Sequence, residues 1–488
     1  MNDYVGTQLR GWDAATFRTA SGDPGMRSTV VALTVLERAP DWARLQARME
    51  RLTLCVPTLR MRPLYGVMGL SAPRLAVDPY FDLSVHLRRY RVPEGGGWAD
   101  LLDDARRMSL TDFDADRPLW EAALVEGLPG GAAAFLLKLH HSIADGQATV
   151  MMGLSLFEFG PDPDPNEAPA PPPPPAEDVT LREISTANAV DTIRRVGDAA
   201  GAAVKGVADF ARGSVTDPVT TWGGVLRTLT SIGRVAAVPD GPMSPVLVGR
   251  GTTYRFAVFS LPFASIRAAA KRHDGSINDA FLASVACGMD RYHRRHGVVV
   301  EDLRVNVPIS LRGDAGDRSG QAANAVSIAR FPLSIAGLTV AEHMEQAHAL
   351  VERWRDEPAI RLADPLAEIS WFVPVPMLAQ AARASDLTTS NVPGPPLTLY
   401  LAGVRVTQVY PLVATIGAAL NITMVTYDGN AYIGLSADDR AVTDLADLEA
   451  DLRAGFEAVT GEPVPAAGTT ADADEPIGDT PAAEAPQS

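Results

Sequence analysis

Along the first 160 residues the spacing of apolar positions switches between two and about 3.6, the mark of strands and helices stacked in α/β layers. The stretch Thr29 to Glu37, TVVALTVLE, is rich in β-branched residues and predicts a strand, and Asp41 to Leu54 returns its apolar residues at helical spacing. Ala132 to His141, AAAFLLKLHH, predicts another strand, with Phe135, Leu137, Leu139 and His141 on one parity and Leu136, Lys138 and His140 on the other. After Gly146 the run QATVMMGLSLFEF predicts a buried helix. The rhythm stops at Pro161 to Pro175, PDPDPNEAPAPPPPP, because proline fixes φ and offers no N–H to a helix or ladder. An extended spacer is expected there.

Beyond the spacer, Leu181 to Val238 has a helical pattern and is mildly basic from Thr186 to Ala236, which predicts a surface connector in preference to a weakly membrane-facing helix, since its Gly, Thr and Asp residues dilute the apolar face. A second α/β stretch opens near Tyr254. RFAVFSLP predicts a strand, FASIRAAAKRH a helix, and Asn278 to His296 a longer helix with Phe281, Val285, Met289 and Tyr292 on one face. Strands are expected at Arg304 to Ile309, Ala325 to Pro332, Val404 to Val409, Leu420 to Tyr427 and Ala431 to Ala437, the last two joined by the hairpin signal Asp428-Gly429. The expected organisation is an N-terminal domain over 1–160, a Pro-rich spacer and helical connector over 161–245, a C-terminal domain over 246–461 and an acidic tail over 462–488.

The length of 488 residues exceeds what one hydrophobic core sustains, which agrees with two core domains. Cys55 and Cys287 have no C-x-x-C partner, so no disulfide framework or thiolate metal site is expected. The net charge of −16 is concentrated: five acidic residues in Pro161 to Asp178 and six from Glu462 onward, with no basic residue in either stretch, account for 11 of the 16. The remainder is nearly balanced and shows no basic face for nucleic acid. The N-terminal residues lack a basic stretch followed by an apolar core, and no apolar run reaches the length of a membrane span. A cytoplasmic protein that touches a membrane or lipid-droplet surface only peripherally is expected.

The strongest chemical signal is His140-His141-Ser142-Ile143-Ala144-Asp145-Gly146. It places histidine where a buried strand turns toward a helix, and a neutral imidazole in an apolar cavity can take a proton from an alcohol near neutral pH. Parity sends the two histidines opposite ways, so one of them faces a common site. Asp145 can brace the loop and Gly146 permits the tight turn. A structural histidine pair beside a turn is the competing reading; a zinc site would need a further ligand cluster that the chain lacks.

H-H-x-x-x-D-G resembles the signature of the coenzyme A-dependent acyltransferases, a superfamily that includes chloramphenicol acetyltransferases and peptide-synthetase condensation domains. Further segments resemble the bacterial wax ester synthase/diacylglycerol acyltransferases: DRPLWE at Asp116 to Glu121, INDAFLA at Ile277 to Ala283, VPISLR at Val307 to Arg312, SNVPGP at Ser390 to Pro395, and ALNITMVTYDGNAYIGLSADD. The resemblance runs in order from Trp12 to about Gly461. It implies an α/β fold (α+β sandwich) of two chloramphenicol-acetyltransferase-like domains with the active-site channel between them. It also implies transfer of a long-chain acyl group from acyl-CoA, as co-substrate with no cofactor or metal, to diacylglycerol or a long-chain alcohol.

In that family the second histidine is the base, which puts the role on His141, with His140, Asp145 and Gly146 completing the motif. Arg312 is the implied partner of Asp145. Pro118, Leu119 and Trp120 are the implied channel lining, although an aromatic after proline is as often core packing. Asn278 and Asp279 belong to the implied site, but Ser276 and Asp279 also have the spacing of a capping box. Asn391 sits in a rigid loop that can shape the site, and Asn324 follows Ala323 where relatives show Gly-Asn. Two other readings remain open at this stage: condensation on a carrier-bound thioester, and a non-catalytic lipid-droplet binding protein.

Overall fold

The computed structural model describes residues 6–66, 71–143, 152–176, 179–191, 194, 212, 216, 241–310, 326–355, 371 and 373–466. The N-terminal half contains β1 (Thr7–Gln8), α1 (Gly11–Gly22), β2 (Thr29–Leu36), α2 (Trp42–Cys55), β3 (Met61–Leu64), β4 (Arg74–Val77) and the one-turn α3 (Leu83–His86). It continues through β5 (Leu87–Arg91), α4 (Trp98–Leu110), β6 (Trp120–Glu126) and β7 (Ala133–His140). Asp41 caps α2 by accepting from the Arg44 N–H at 2.9 Å, and the apolar face expected from the spacing is buried through Leu45, Met49 and Leu52.

The C-terminal half begins with β8 (Tyr254–Pro262), α5 (Phe263–Arg272), α6 (Ile277–Arg295), β9 (Asp302–Ser310) and β10 (Val326–Ser334). After α7 (Val340–Arg355) and α8 (Val375–Arg383) come β11 (Leu387–Val392), β12 (Tyr400–Leu401), β13 (Val404–Val413), β14 (Leu420–Tyr427), β15 (Asn430–Asp438) and α9 (Leu445–Thr460). The four residues expected on one face of α6 are all buried. Asp428 and Gly429 both take positive φ, 44° and 81°, which gives a two-residue hairpin turn whose twist matches its strands.

Two six-stranded sheets organise the molecule, in the orders β12-β13-β2-β7-β6-β5 and β10-β9-β11-β14-β15-β8. The sequence pattern does not reveal that β12 and β13 belong to the first sheet. Val406 to Val413 pairs antiparallel with β2, although the chain from Leu36 to Val404 lies between the two strands. Val404, Val406, Tyr410 and Leu412 accordingly join the core of the N-terminal half. The two sheets come together where β13 lies against β15: a Cβ at Gly434 would run into the carbonyl of Pro411, so glycine there allows the close approach.

The proline spacer is extended and largely exposed over 161–176, and it is pinned to α2 by ion pairs. Glu158 meets Arg44 at 2.8 Å, and Glu167 meets Arg48 at 2.6 Å and Arg51 at 3.0 Å. The connector is helical from residue 181 to 191 and docks on the small sheet of β1, β4 and β3, where Asn188 reaches Ser71 at 2.7 Å and Asp191 reaches Arg74 at 2.6 Å. The rest of the expected connector and nearly all of the acidic tail fall outside the described residues. Among the described residues no helix is long and apolar enough to cross a membrane.

Candidate active site

β7 leads from the middle of the first sheet to a stop fixed by both neighbouring strands. The His140 N–H donates to the Leu119 carbonyl at 3.0 Å, and the His141 N–H donates to the Ser28 carbonyl at 2.8 Å. A 3₁₀ turn, His141–Ile143, begins at once and packs against α1. The alternation expected through His141 therefore ends one residue early. The direction of His141 is set by the turn, and parity fixes only His140.

The two rings differ in burial and in hydrogen bonding. His140 is buried with its Nδ1 accepting from the Ser142 N–H at 3.2 Å and 2.7 Å from the Ser142 hydroxyl, so its proton sits on Nε2. Its ring stands against Phe17 and Phe113 at centroid distances of 5.5 and 5.8 Å. Burial first, and then the charges of His141 and Lys138, push its pKa down to about 3, so it cannot hold a second proton near neutral pH. Lys138, two residues back on the same face, donates to the Thr111 carbonyl at 2.8 Å, lies 3.4 Å from Glu121 and stands 4.1 Å over the Phe113 ring.

His141 differs in both respects. Among the described residues no hydrogen bond engages either of its ring nitrogens. The ring surface is accessible, yet surrounding protein lowers its pKa by desolvation. His141 is therefore an accessible imidazole whose neutral form the surrounding protein favours.

The other expected residues divide into groups. Pro118, Leu119 and Trp120 are buried. Trp120 stacks on His86 at 4.7 Å and donates from Nε1 to the Leu59 carbonyl at 2.7 Å, which places it in the core; Leu119 serves the site through the carbonyl that holds His140. Asp279 forms the capping box, accepting from the Ser276 N–H at 2.8 Å while its own N–H donates to Ser276 Oγ at 3.2 Å, and its carboxylate is also 3.1 Å from His348. Asn278 is half-buried beside it, and Asn391 is half-buried on β11 opposite Met424. Among the described residues no hydrogen bond joins these three to either histidine. Asp145, Gly146, Arg312 and Asn324 lie outside the described residues, and the implied Asp145–Arg312 brace with them.

Sequence reasoning missed Ser142, Phe17 and Phe113. Ser142 lies inside the motif and its hydroxyl was a legible signal; the two aromatics come from α1 and the segment after α4, and nothing local marks them.

The catalytic domain of wax ester synthase/diacylglycerol acyltransferases matches residues 9–281, and the C-terminal domain of the same family matches residues 322–460. A Mycobacterium tuberculosis protein bearing the name diacylglycerol O-acyltransferase is 30% identical over 449 residues, covering 91% of this chain and 90% of its own length. Another protein of that organism and name is 26% identical, covering 89% of this chain and 92% of its own. Among solved structures, the wax ester synthase/diacylglycerol acyltransferase from Marinobacter aquaeolei aligns with a TM-score of 0.60 at 22% identity, over 93% of this chain and all of that one. The first condensation domain of the calcium-dependent antibiotic synthetase aligns at 0.57 and 19%, over 94% of this chain and 97% of that one; at these identities both share the fold. With a histidine poised at the end of its central strand and both domains of the family matched in order, the chain belongs to the wax ester synthase/diacylglycerol acyltransferase family and is an acyl-CoA-dependent O-acyltransferase.

Proposed function

We propose that the chain moves a long-chain acyl group from acyl-CoA to the hydroxyl of diacylglycerol or of a fatty alcohol, with His141 as general base. Nε2 of His141 takes the hydroxyl proton as the oxygen attacks the thioester carbonyl. The tetrahedral intermediate expels the coenzyme A sulfur, which takes the proton back from the imidazolium. Atoms and protons balance without an acyl-enzyme and without any cofactor beyond the co-substrate. The observation that carries this reading is the contrast between the two rings: His141 is accessible at the end of the strand, while His140 is buried with its Nδ1 occupied by Ser142.

Diacylglycerol is the acceptor favoured by the names of the relatives, and its insolubility implies peripheral contact with a membrane or lipid-droplet surface. Free thiol release from palmitoyl-CoA, followed with diacylglycerol and hexadecanol in parallel, tests the reading. Acceptor-dependent release is expected with at least one alcohol. Release that ignores both, or none at all from folded protein, would defeat it.

A further inference from the structure

The face of the second sheet that meets the N-terminal half changes character across its width. At β14 and β15 it is covered by β13, where Asn421 Nδ2 donates to the Ala414 carbonyl at 3.1 Å. Past β14 the same face runs on across β11, β9 and β10 as a polar row, because the register sets Asn421 beside Thr388, Thr388 beside Asn306, and Asn306 beside Arg330. The members touch: Asn306 Nδ2 donates to Thr388 Oγ1 at 3.4 Å, and Arg330 Nε donates to Asn306 Oδ1 at 3.3 Å. The inner end of the row reaches the catalytic strand. Ala414, whose carbonyl Asn421 holds, donates its own N–H to the Thr29 carbonyl at 2.9 Å, and Thr29 is the register partner of His140.

Arg330 ends the row. It is partly buried, desolvation lowers its pKa, and the nearby Arg304 lowers it further. Among the described residues no carboxylate pairs with Arg330, and Arg304 is answered by the carbonyls of Gly241 and Ala384. A desolvated guanidinium costs free energy unless an anion meets it, and its planar fork matches a phosphate. An amide and hydroxyl row between such a cation and a catalytic strand has the chemistry of a pantetheine arm, which carries amides along its length and a phosphate at the end remote from sulfur.

We propose that Arg330 binds a phosphate of the acyl donor's phosphopantetheine arm, with Asn306 and Thr388 facing the arm on its way to His141. The inference rests on the donor being such a thioester. Coenzyme A and an acyl carrier protein share this arm, and the test separates them.

Calorimetric titration of the full chain with free coenzyme A, with pantetheine and with a carrier protein bearing phosphopantetheine needs no turnover, while thiol release by the wild type reports separately on the reaction. Arg330→Ala should weaken coenzyme A by about 10- to 100-fold and leave pantetheine unchanged. Arg330→Lys should recover part of the loss, since it restores the charge without the fork. Loss confined to the carrier protein would keep the phosphate site and make the carrier its source. Unchanged affinity for both phosphorylated ligands, or an equal loss for pantetheine, would overturn the assignment. If Arg330→Ala fails to fold, Arg330→Gln, which keeps the stem and a donor toward Asn306, carries the same comparison.

Discussion

Replacing each histidine of the pair by alanine should separate chemistry from architecture. Nothing in the described core depends on the accessible His141 ring, so His141→Ala should melt close to the wild type. Loss of a positioned general base costs about 10² to 10⁴ in rate, which is roughly 3 to 5 kcal/mol of barrier. His140 is the reverse case. Truncating it opens a cavity between Phe17 and Phe113 and removes the acceptor of Ser142. A large-to-small change of that kind costs about 2 to 4 kcal/mol of stability, and the lost hydrogen bond about 1 more. Initial rates of acceptor-dependent thiol release, measured beside thermal melts of the same preparations, read both effects. The reasoning fails if folded His141→Ala keeps more than a tenth of the wild-type rate, or if His140→Ala is as stable as the wild type. Because burial holds the His141 pKa below its ordinary value, the acid limb of kcat/KM should fall below about pH 6.5; a limb above that value would contradict the geometry.

Three further outcomes follow from the same coordinates. His86, His140, His293 and His343 are buried and all have pKa values lowered first by that burial, so the unfolded chain binds more protons than the native one below about pH 6.5. Stability should be full above that pH and fall on acidification by up to about 1.4 kcal/mol per pH unit for each histidine still neutral; a denaturation midpoint that stays flat from pH 7 to 5 would refute this. Gly434→Ala forces a methyl group into the Pro411 carbonyl at the sheet crossing and should cost about 1 to 3 kcal/mol or more, visible as a lowered melting temperature. Ser276→Ala removes the cap of α6 and should cost about 1 kcal/mol with thiol release unaltered, so a large drop in rate at equal stability would return Asp279 and its turn to the chemistry.

Local pattern made much of this protein legible from its residues alone. Alternation and helical spacing marked β2, α2, β7, β8, α5, α6, β14 and β15 to within a residue or two, because each has one face buried and that face repeats along the chain. The Asp428-Gly429 turn was readable because few residues tolerate two consecutive positive φ angles. The motif around His141 was visible because its residues are contiguous. Tertiary structure decided the rest. The placement of β12 and β13 in the first sheet depends on a pairing across most of the chain, which no local rhythm reports. The contrast between the two histidines came from a strand that stops at His140 and from the burial and hydrogen bonds that engage His140 while the His141 ring stays accessible, where parity could only say that the rings diverge. Asp279 and Trp120 kept two readings in the sequence, since the same residue types serve a cap or a core as well as a site; the partners they meet are set by packing. A residue's type fixes which interactions it can make, and only the folded chain fixes which of them it has.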